Sequence, residues 1–254
     1  MKRACATACI FLSVMSSLAH ADDVRVLAAG ASKAALEKIA PEFTRQTGHT
    51  VRATFDTVGA QRDRVLRGAP AAVADVVILS NAAIAQLRGA GQLTQGAAQD
   101  VRIGVVSVSL AVPQGTPVPD IASPEALKRT LLRARSIAYA DPARGATAGT
   151  HFAKVLDTLG VRASLQTRIT VLPFGVEVIR DVSTGKYALG VSQSSEILQH
   201  PGITMVGPLP APLALSTGYA AAQSSELAAA GLLMQFLAGD KAMQQFRLTG
   251  FLAE

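Results

Sequence analysis

Apolar residues along the chain alternate between short continuous runs and stretches in which they recur at helical spacing. The first unit has an apolar run at residues 24–28, a small turn, and then Leu36, Ile39 and Phe43 on one face of a helix that ends at Gly48. Pro41 lies inside this helical pattern and removes a backbone hydrogen bond, so we expect a kink or a helix in two pieces. Two more units follow, at 51–66 and 75–87. Three strands that each lead into a helix predict a parallel sheet with helices on both faces.

A long β-type run at residues 103–112 separates these units from a second series. Ser123, Pro124 and Glu125 indicate a helix start, because a serine cap, a proline and an acid all favour the first turn of a helix. Strands are predicted at 136–140, 169–172, 189–191 and 217–221, and helices at 148–159, 176–182, 194–198, 227–237 and 240–248. The pattern as a whole is typical of an α/β protein.

The first 21 residues do not follow this alternation. A basic start at residues 2 and 3 precedes an apolar run at 4–18, and Ala-His-Ala at 19–21 has the form of a signal peptidase site. The run is shorter than the ~20 residues that a membrane span needs, and two aspartates follow it directly. We therefore predict a cleaved signal peptide at 1–21 and a periplasmic mature protein.

Composition and charge exclude several classes of function. Apolar residues make up 49% of the 254 positions, which is enough for two lobes of ~100 to 130 residues each. The net charge of +6 is mild and the basic residues near Arg64 carry no interleaved aromatic residues, so we expect no nucleic acid partner. Cys5 and Cys9 both lie in the signal peptide, which leaves the mature chain without a disulfide. The histidines form no metal-binding pattern, and no metal or cofactor is predicted.

Four small polar turns lie where predicted strands lead into helices, at residues 30–33, 57–60, 144–150 and 193–195. In parallel sheets such turns meet at one edge, where helix N-termini present backbone N–H groups and the positive end of the helix dipole. Their glycine, alanine, serine and threonine residues allow a close approach to the backbone. The turns therefore predict a binding site for a small anion.

Several stretches spread over nearly the whole mature chain match one family. They are 26–43, 50–70, Ala-Asp-Val-Val-Ile-Leu-Ser at 74–80, Ala-Asp-Pro at 140–142, Ala-Gly at 148–149, Ala-Leu-Gly at 188–190 and the segment 246–251. In these stretches the chain resembles the periplasmic molybdate-binding proteins of ABC transporters. The resemblance implies a type II periplasmic binding protein, in which two lobes, each a mostly parallel sheet flanked by helices, are joined by two crossover strands and hold the ligand in the cleft between them. On this basis we expect residues 22–105 and 208–254 in lobe 1, residues 106–207 in lobe 2, a monomer, and delivery of the ligand to an ABC permease.

The resemblance also implies ligand-binding positions, and three of them depart from the family. Two serines that donate hydroxyl hydrogen bonds to the tetrahedral oxyanion correspond to Ala31 and Val58, which have no side-chain donor, and a pocket tyrosine corresponds to Gln193. Ser32 and Thr57 are adjacent in sequence, but a helix rotates ~100° per residue, so their side chains point in other directions. Residues 71–73 are extra. Molybdate is therefore disfavoured as the ligand.

Other candidate ligand-binding residues in or near the four turns are Ser194 and the backbone donors at Ala148 and Gly175. Four longer or basic side chains add to them: Lys33, Arg62, Arg144 and His151. Arginine grips a carboxylate in a planar fork of two hydrogen bonds, so these residues favour a polycarboxylate over a compact oxyanion. Each of the four also has a structural alternative, on a solvated helix face or in a loop.

A second function remains open beside solute capture. Aconitate isomerase, an exported enzyme that interconverts trans- and cis-aconitate without a cofactor, resembles the same branch of this fold. That resemblance implies that one proton-transfer group would turn the binding cleft into a catalytic one. His151 is the candidate base, because a neutral imidazole both takes up and returns a proton near neutral pH, and Lys33 is the reserve candidate.

Overall fold

A computed structural model describes residues 21–68, 74–94 and 100–253. The segment predicted as a signal peptide lies outside these ranges except for its last residue, and so do the extra residues 71–73. Within the described ranges no helix combines the length and the apolar character that a membrane crossing requires.

Strands and helices follow one another in the order that the apolar pattern predicts. The strands are β1 (Asp23–Ala29), β2 (Thr50–Asp56), β3 (Val76–Ser80), β4 (Val101–Pro113), β5 (Ile137–Ala140), β6 (Ile169–Leu172), β7 (Leu189–Gln193), β8 (Ile203–Pro208) and β9 (Ser216–Gln223). The helices are α1 (Lys33–Thr47), α2 (Val58–Leu66), α3 (Asn81–Gly89), α4 (Pro124–Arg133), α5 (Thr147–Thr158), α6 (Arg162–Leu165), α7 (Gly175–Ser183), α8 (Ser194–Leu198), α9 (Ala228–Ala238) and α10 (Asp240–Leu248). The α/β class predicted from the sequence is confirmed, and β8 and α6 are additions that the pattern did not indicate.

Two groups of parallel strands are connected by antiparallel ones. The strand order is β2-β1-β3-β9-β4-β7-β5-β6, and β8 pairs with β4 off this path. β1 is parallel to β2 and β3, and β5 is parallel to β6 and β7. The first half of β4 pairs with β9, whereas its second half pairs with β7 and β8. One long strand thus belongs to both groups.

The buried apolar side chains form three clusters that divide along β4. Val106 belongs to a cluster built on β1, β3, β9, α1 and α9, whereas Val108 belongs to a cluster built on β5, β7, α4 and α5. A third, smaller cluster packs α7 and α8 on the other face of the second group. Below, lobe 1 means the elements packed on the first cluster and lobe 2 those packed on the other two. The sequence boundaries at 105/106 and 207/208 stay a prediction.

Helix α1 continues through Pro41, so the expectation of a helix in two pieces is wrong. A proline removes one backbone hydrogen bond and does not by itself end a helix whose two sides are both held. Here Leu36 and Ile39 before the proline and Phe43 after it are buried in the same cluster. Their shared burial keeps the helix in one piece.

Candidate functional site

A cleft of about 450 Å³ lies between the two lobes. It is lined by the last residues of four strands: Ala29 of β1, Asp56 of β2, Ala140 of β5 and Gln193 of β7. The helices that follow these strands begin at the cleft or close to it. The position is the one expected in open α/β folds, where ligands bind beyond the carboxyl ends of the strands.

Three of the longer helices that begin at this cleft have no side-chain cap, and neither has the five-residue α8. The N-cap residues of α1, α5 and α7 are Ser32, Ala146 and Phe174, and none of them accepts a hydrogen bond from the first turn. Helix α2 differs, because Thr57 Oγ1 accepts a hydrogen bond from the N–H of Ala60 over 3.1 Å. At α1 a 3₁₀ turn at Gly30–Ser32 precedes the helix, and the Gly30 carbonyl accepts from the Lys33 N–H, so the start of this turn is the end that faces an anion. Uncapped starts of this kind keep N–H groups and positive dipole ends for an anion.

Seven predicted ligand-binding residues line the cleft: Ala31, Lys33, Thr57, Val58, Ala148, Gly175 and Gln193. The first four come from lobe 1 and the other three from lobe 2. All seven lie at a strand end, in the connection to the next helix, or in the first turn of that helix. Position alone does not decide what faces the cleft, since Ser32 and Ser194 occupy such places and do not line it.

Five other predicted residues do not line it. Ser32 is fully buried, and its hydroxyl donates to the carbonyl of Ala29 over 2.8 Å. Ser194 Oγ accepts a hydrogen bond from the backbone of β4. Arg62 forms an ion pair with Asp63, and Arg144 forms one with Asp56.

His151, the candidate base, also lies outside the cleft lining, and its Nε2 atom is 2.8 Å from the carbonyl oxygen of Leu213. His151 lies one turn after Thr147 on a similar face of α5, but about 6 Å further along the helix axis from the end that lines the cleft.

Gln193 and Ser195 are buried in the cleft without hydrogen-bond partners. Gln193 is 4% exposed and Ser195 is 2% exposed. Neither side-chain atom of the Gln193 amide, nor the Ser195 hydroxyl, finds a partner in the described part of the chain. The Tyr219 hydroxyl is close enough to interact with Gln193 but lies outside hydrogen-bond geometry. Each buried polar group without a hydrogen-bond partner destabilises the folded protein by about 1 to 3 kcal/mol. A ligand that hydrogen-bonds to these atoms would remove this cost.

Glu196 is a cleft residue that the sequence reasoning missed. Its carboxylate accepts a hydrogen bond from the Ser192 hydroxyl. A Cβ atom at Gly175 would collide with this carboxylate, and one at Gly30 would lie 2.8 Å from its Oε1 atom. The carboxylate therefore stands between the start of α7 in lobe 2 and the turn before α1 in lobe 1. In the sequence, Glu196 is simply an acidic residue in the first turn of a helix, where acidic residues are common.

Burial raises the pKa of the Glu196 carboxyl above its ordinary value. Hydrogen bonds from the Ser192 hydroxyl and the Gln193 backbone stabilise the charged form, and they offset only part of this effect. Tyr219, which is also buried in the cleft, has a raised pKa because of desolvation first and the nearby Glu196 second. A carboxyl group with a raised pKa in a cleft is a candidate for proton transfer.

The remaining charges at the cleft are already paired. Lys33 Nζ lies 3.8 Å from Glu37 Oε1 and 5.8 Å from the centre of the Phe55 ring. Arg144 reaches from lobe 2 to Asp56 of lobe 1 at 3.1 Å. The predicted grip by several free basic side chains is therefore not what the cleft presents. Backbone N–H groups and neutral side chains carry most of its capacity for an anion.

Two glycine backbones bring the lobes into direct contact beside the cleft. The N–H of Gly59 donates to the carbonyl of Gly145 over 3.1 Å, and a Cβ atom at Gly59 would lie 2.7 Å from the Gly145 Cα atom. The Thr57 hydroxyl donates to the carbonyl of Arg144 next to this contact. No side chain larger than hydrogen fits at this point, so the contact requires glycine on both sides.

Comparisons with known proteins agree with this architecture. The sequence profile of the family described as "Bacterial extracellular solute-binding protein" matches residues 24–252. An aconitate isomerase from Pseudomonas sp. is 30% identical over 234 residues, which cover 89% of this chain and 86% of that protein. The periplasmic molybdate-binding protein of Azotobacter vinelandii has a TM-score of 0.70 at 22% identity, over 91% of this chain and 99% of that one. The sulfate-binding protein SubI of Mycobacterium tuberculosis has a TM-score of 0.66 at 19% identity, over 91% and 86%. These matches confirm the type II fold and the resemblance found in the sequence.

The unpartnered amide of Gln193 leads to a stability prediction. We expect Gln193→Leu to leave the free energy of unfolding unchanged or to raise it, because the substitution removes a buried polar group that no protein atom satisfies. The matched control is Gln61→Leu, since Gln61 is also buried and its Nε2 atom donates to the carbonyl of Thr54 over 2.7 Å. That control should lose about 1 to 3 kcal/mol. Urea unfolding of the ligand-free proteins measures both values, and an equal loss in the two variants would contradict the assignment.

The backbone contact at Gly59 leads to a prediction about closure. Gly59→Ala places a methyl group against Gly145 and holds the lobes apart, whereas alanine in the first turn of α2 costs no helix stability. We expect the affinity for citrate, used as a polycarboxylate probe, to fall at least tenfold while the unfolding midpoint stays within about 2 °C of the parent value. Calorimetry and thermal unfolding measure the two quantities. Unchanged affinity would show that the bound state does not contain this contact.

Proposed function

Because the chain belongs to the family of bacterial extracellular solute-binding proteins, we propose that it binds a small polycarboxylate anion in the cleft between its lobes. One observation carries the proposal. Three helix N-termini without side-chain caps meet there with the buried, unpartnered amide of Gln193. Both features call for a ligand that accepts several hydrogen bonds, and carboxylates accept them well.

The shape and the apolar wall of the cleft favour a carbon skeleton over molybdate. The volume of about 450 Å³ equals that of roughly fifteen water molecules in the liquid, which is more than a compact tetrahedral ion fills. Ala31 and Val58 present methyl groups where hydroxyl donors would serve an oxyanion, and Phe55 and Phe174 add aromatic surface. Apolar lining with a few placed polar groups is typical of sites for organic ligands.

We also propose that the mature protein acts in the periplasm and hands its ligand to an ABC permease. The signal-peptide pattern at residues 1–21 supports export. The two-lobed fold and the direct contact between Gly59 and Gly145 support a protein that closes around a solute. No metal or organic cofactor enters this proposal.

Interconversion of trans- and cis-aconitate is a second candidate function. The 30% identity to an aconitate isomerase over 89% of the chain favours it. The presence of Glu196 in the cleft, with a pKa raised by burial, supplies a group suited to proton transfer. Capture and isomerisation would use the same cleft, and they differ only in whether the bound ligand reacts.

Calorimetry of the protein from Asp22 onward against a panel of anions tests the first proposal. The panel contains trans-aconitate, citrate, the saturated tricarboxylate tricarballylate, succinate, molybdate, tungstate and sulfate. We expect at least one tricarboxylate to bind about 100-fold more tightly than molybdate, a difference of ~2.7 kcal/mol. Submicromolar binding of molybdate without binding of any carboxylate would contradict the proposal.

A turnover assay tests the second candidate. The purified mature protein is incubated with trans-aconitate, and chromatography follows the cis isomer over time. We expect the cis isomer to accumulate toward the same equilibrium ratio that is reached from pure cis-aconitate. A heat-unfolded sample is the control. Tight binding of trans-aconitate without any conversion would leave solute capture as the function.

A further inference from the structure

Glu196 differs from the other charged side chains at the cleft in lacking a cation. Lys33 and Glu37 of α1 form one pair, and Asp56 of β2 is paired with Arg144. The other titratable groups that line the cleft are His200, whose Nδ1 atom lies 2.7 Å from the carbonyl of Pro201, and Tyr219 of β9. Within the described ranges, no lysine, arginine or histidine lies within ion-pair distance of Glu196. The Ser192 hydroxyl and the Gln193 backbone donate hydrogen bonds to its carboxylate.

We propose that Glu196 is the acid–base group that removes a proton from a carbon atom of the bound polycarboxylate and returns it to another. This inference rests on the proposed binding of a polycarboxylate in the cleft. In trans-aconitate the Glu196 carboxylate would take a proton from the methylene carbon. The electron pair of that C–H bond forms a new double bond to the central carbon, and the electrons of the former double bond take the proton at the far carbon. Glu196 is then a carboxylate again, and no oxidant, reductant or metal is consumed.

The surroundings of the Glu196 carboxylate suit this reaction. A carbon acid needs a strong base, and burial strengthens this carboxylate as a base by raising its pKa. The hydroxyl of Ser192 fixes its direction, and Gly30 and Gly175 leave room for it between the two lobes. Negative charge that develops on the substrate during the transfer would face the starts of α1 and α7. Preorganised N–H groups of this kind stabilise such charge.

The two candidates named from the sequence fit the role less well. His151 does not line the cleft, and its ring nitrogen is occupied by the carbonyl of Leu213. Lys33 lines the cleft, but its side chain is 45% exposed and lies beside Glu37. A half-exposed side chain is not held in one position against a carbon atom, as proton transfer to or from that atom requires.

The experiment compares the mature protein with Glu196→Gln in D₂O with trans-aconitate. Nuclear magnetic resonance follows two signals: formation of the cis isomer, and deuterium that enters the methylene position whenever the proton held by Glu196 exchanges with solvent before it is returned. We expect both rates to fall about 1,000-fold in the variant. Its affinity for tricarballylate, which has no double bond to move, should stay within about threefold, since the glutamine oxygen still accepts from Ser192. Glu125→Gln is the control, because Glu125 also lies in a first helical turn and does not line the cleft.

A second variant keeps the test valid if Glu196→Gln does not fold. Ser192→Ala removes a hydrogen bond that lowers the pKa of Glu196, so that pKa rises further. The reaction needs the deprotonated carboxylate, and its rate increases as pH rises through this pKa. We therefore expect the rising limb of kcat/KM against pH to move to higher pH in Ser192→Ala. A limb that does not move would overturn the assignment.

The outcomes separate the inference from the function on which it rests. If no polycarboxylate binds, the proposed function fails. If the parent protein binds trans-aconitate but neither exchanges nor isomerises it, binding stands and the inference is overturned. If Glu196→Gln keeps the parent rates, or loses tricarballylate binding together with the rates, Glu196 is not the proton-transfer group.

Discussion

Backbone N–H groups in the first turn of a helix need acceptors, and this requirement organises the cleft. Parallel pairing of β1 with β2 and of β5 with β7 sends the helices that follow toward one edge in each lobe. β4 belongs to both cores and turns these two edges toward each other. Since α5, α7 and the 3₁₀ turn that runs into α1 have no side-chain caps, these three starts depend on water or on a ligand. The position of the site therefore follows from topology before any particular side chain is considered.

The side chains decide what kind of anion these helix starts accept. Paired charges at Lys33 and Asp56 leave little free positive charge, and Gln193 and Ser195 contribute neutral donors that lack partners. Glu196 adds a buried carboxylate to a cleft that attracts anions, and this placement costs folding and binding free energy. A role in the reaction would explain why the group is there. Its pKa is raised by burial, so it exchanges a proton more readily than an exposed glutamate does. Solute capture explains the helix starts and the amide, whereas proton transfer also explains the glutamate.

The apolar pattern predicted the fold because burial and helix starts are local properties of the sequence. The same reasoning located the backbone of the site, since turns after parallel strands must share an edge, and Ala31, Val58, Ala148 and Gly175 do line the cleft. Side-chain direction was harder to predict. His151 shares a face of α5 with Ala148, but it lies further along the helix axis and its ring is held at the carbonyl of Leu213.

Tertiary contacts account for the remaining differences. Arg144 was expected to face a ligand, but Asp56, far away in sequence, pairs with it from the opposite lobe. Glu196 was overlooked because its sequence neighbours indicate an ordinary helix start. Its significance comes from Gly30 and Gly175, which only the folded chain brings against it. Sequence spacing carries no signal for contacts of this kind.

The central claim is that the cleft holds a polycarboxylate through the helix starts and Gln193, with Glu196 beside a carbon atom of the ligand. A crystal structure of the mature protein with tricarballylate tests it most directly. The account predicts a carboxylate within hydrogen-bond distance of Gln193 Nε2 and of backbone N–H groups at α1 and α7, and a methylene carbon within about 3.5 Å of a Glu196 oxygen. A ligand bound outside the cleft, or inside it with Gln193 still unpartnered and Glu196 facing no carbon atom, would contradict the account.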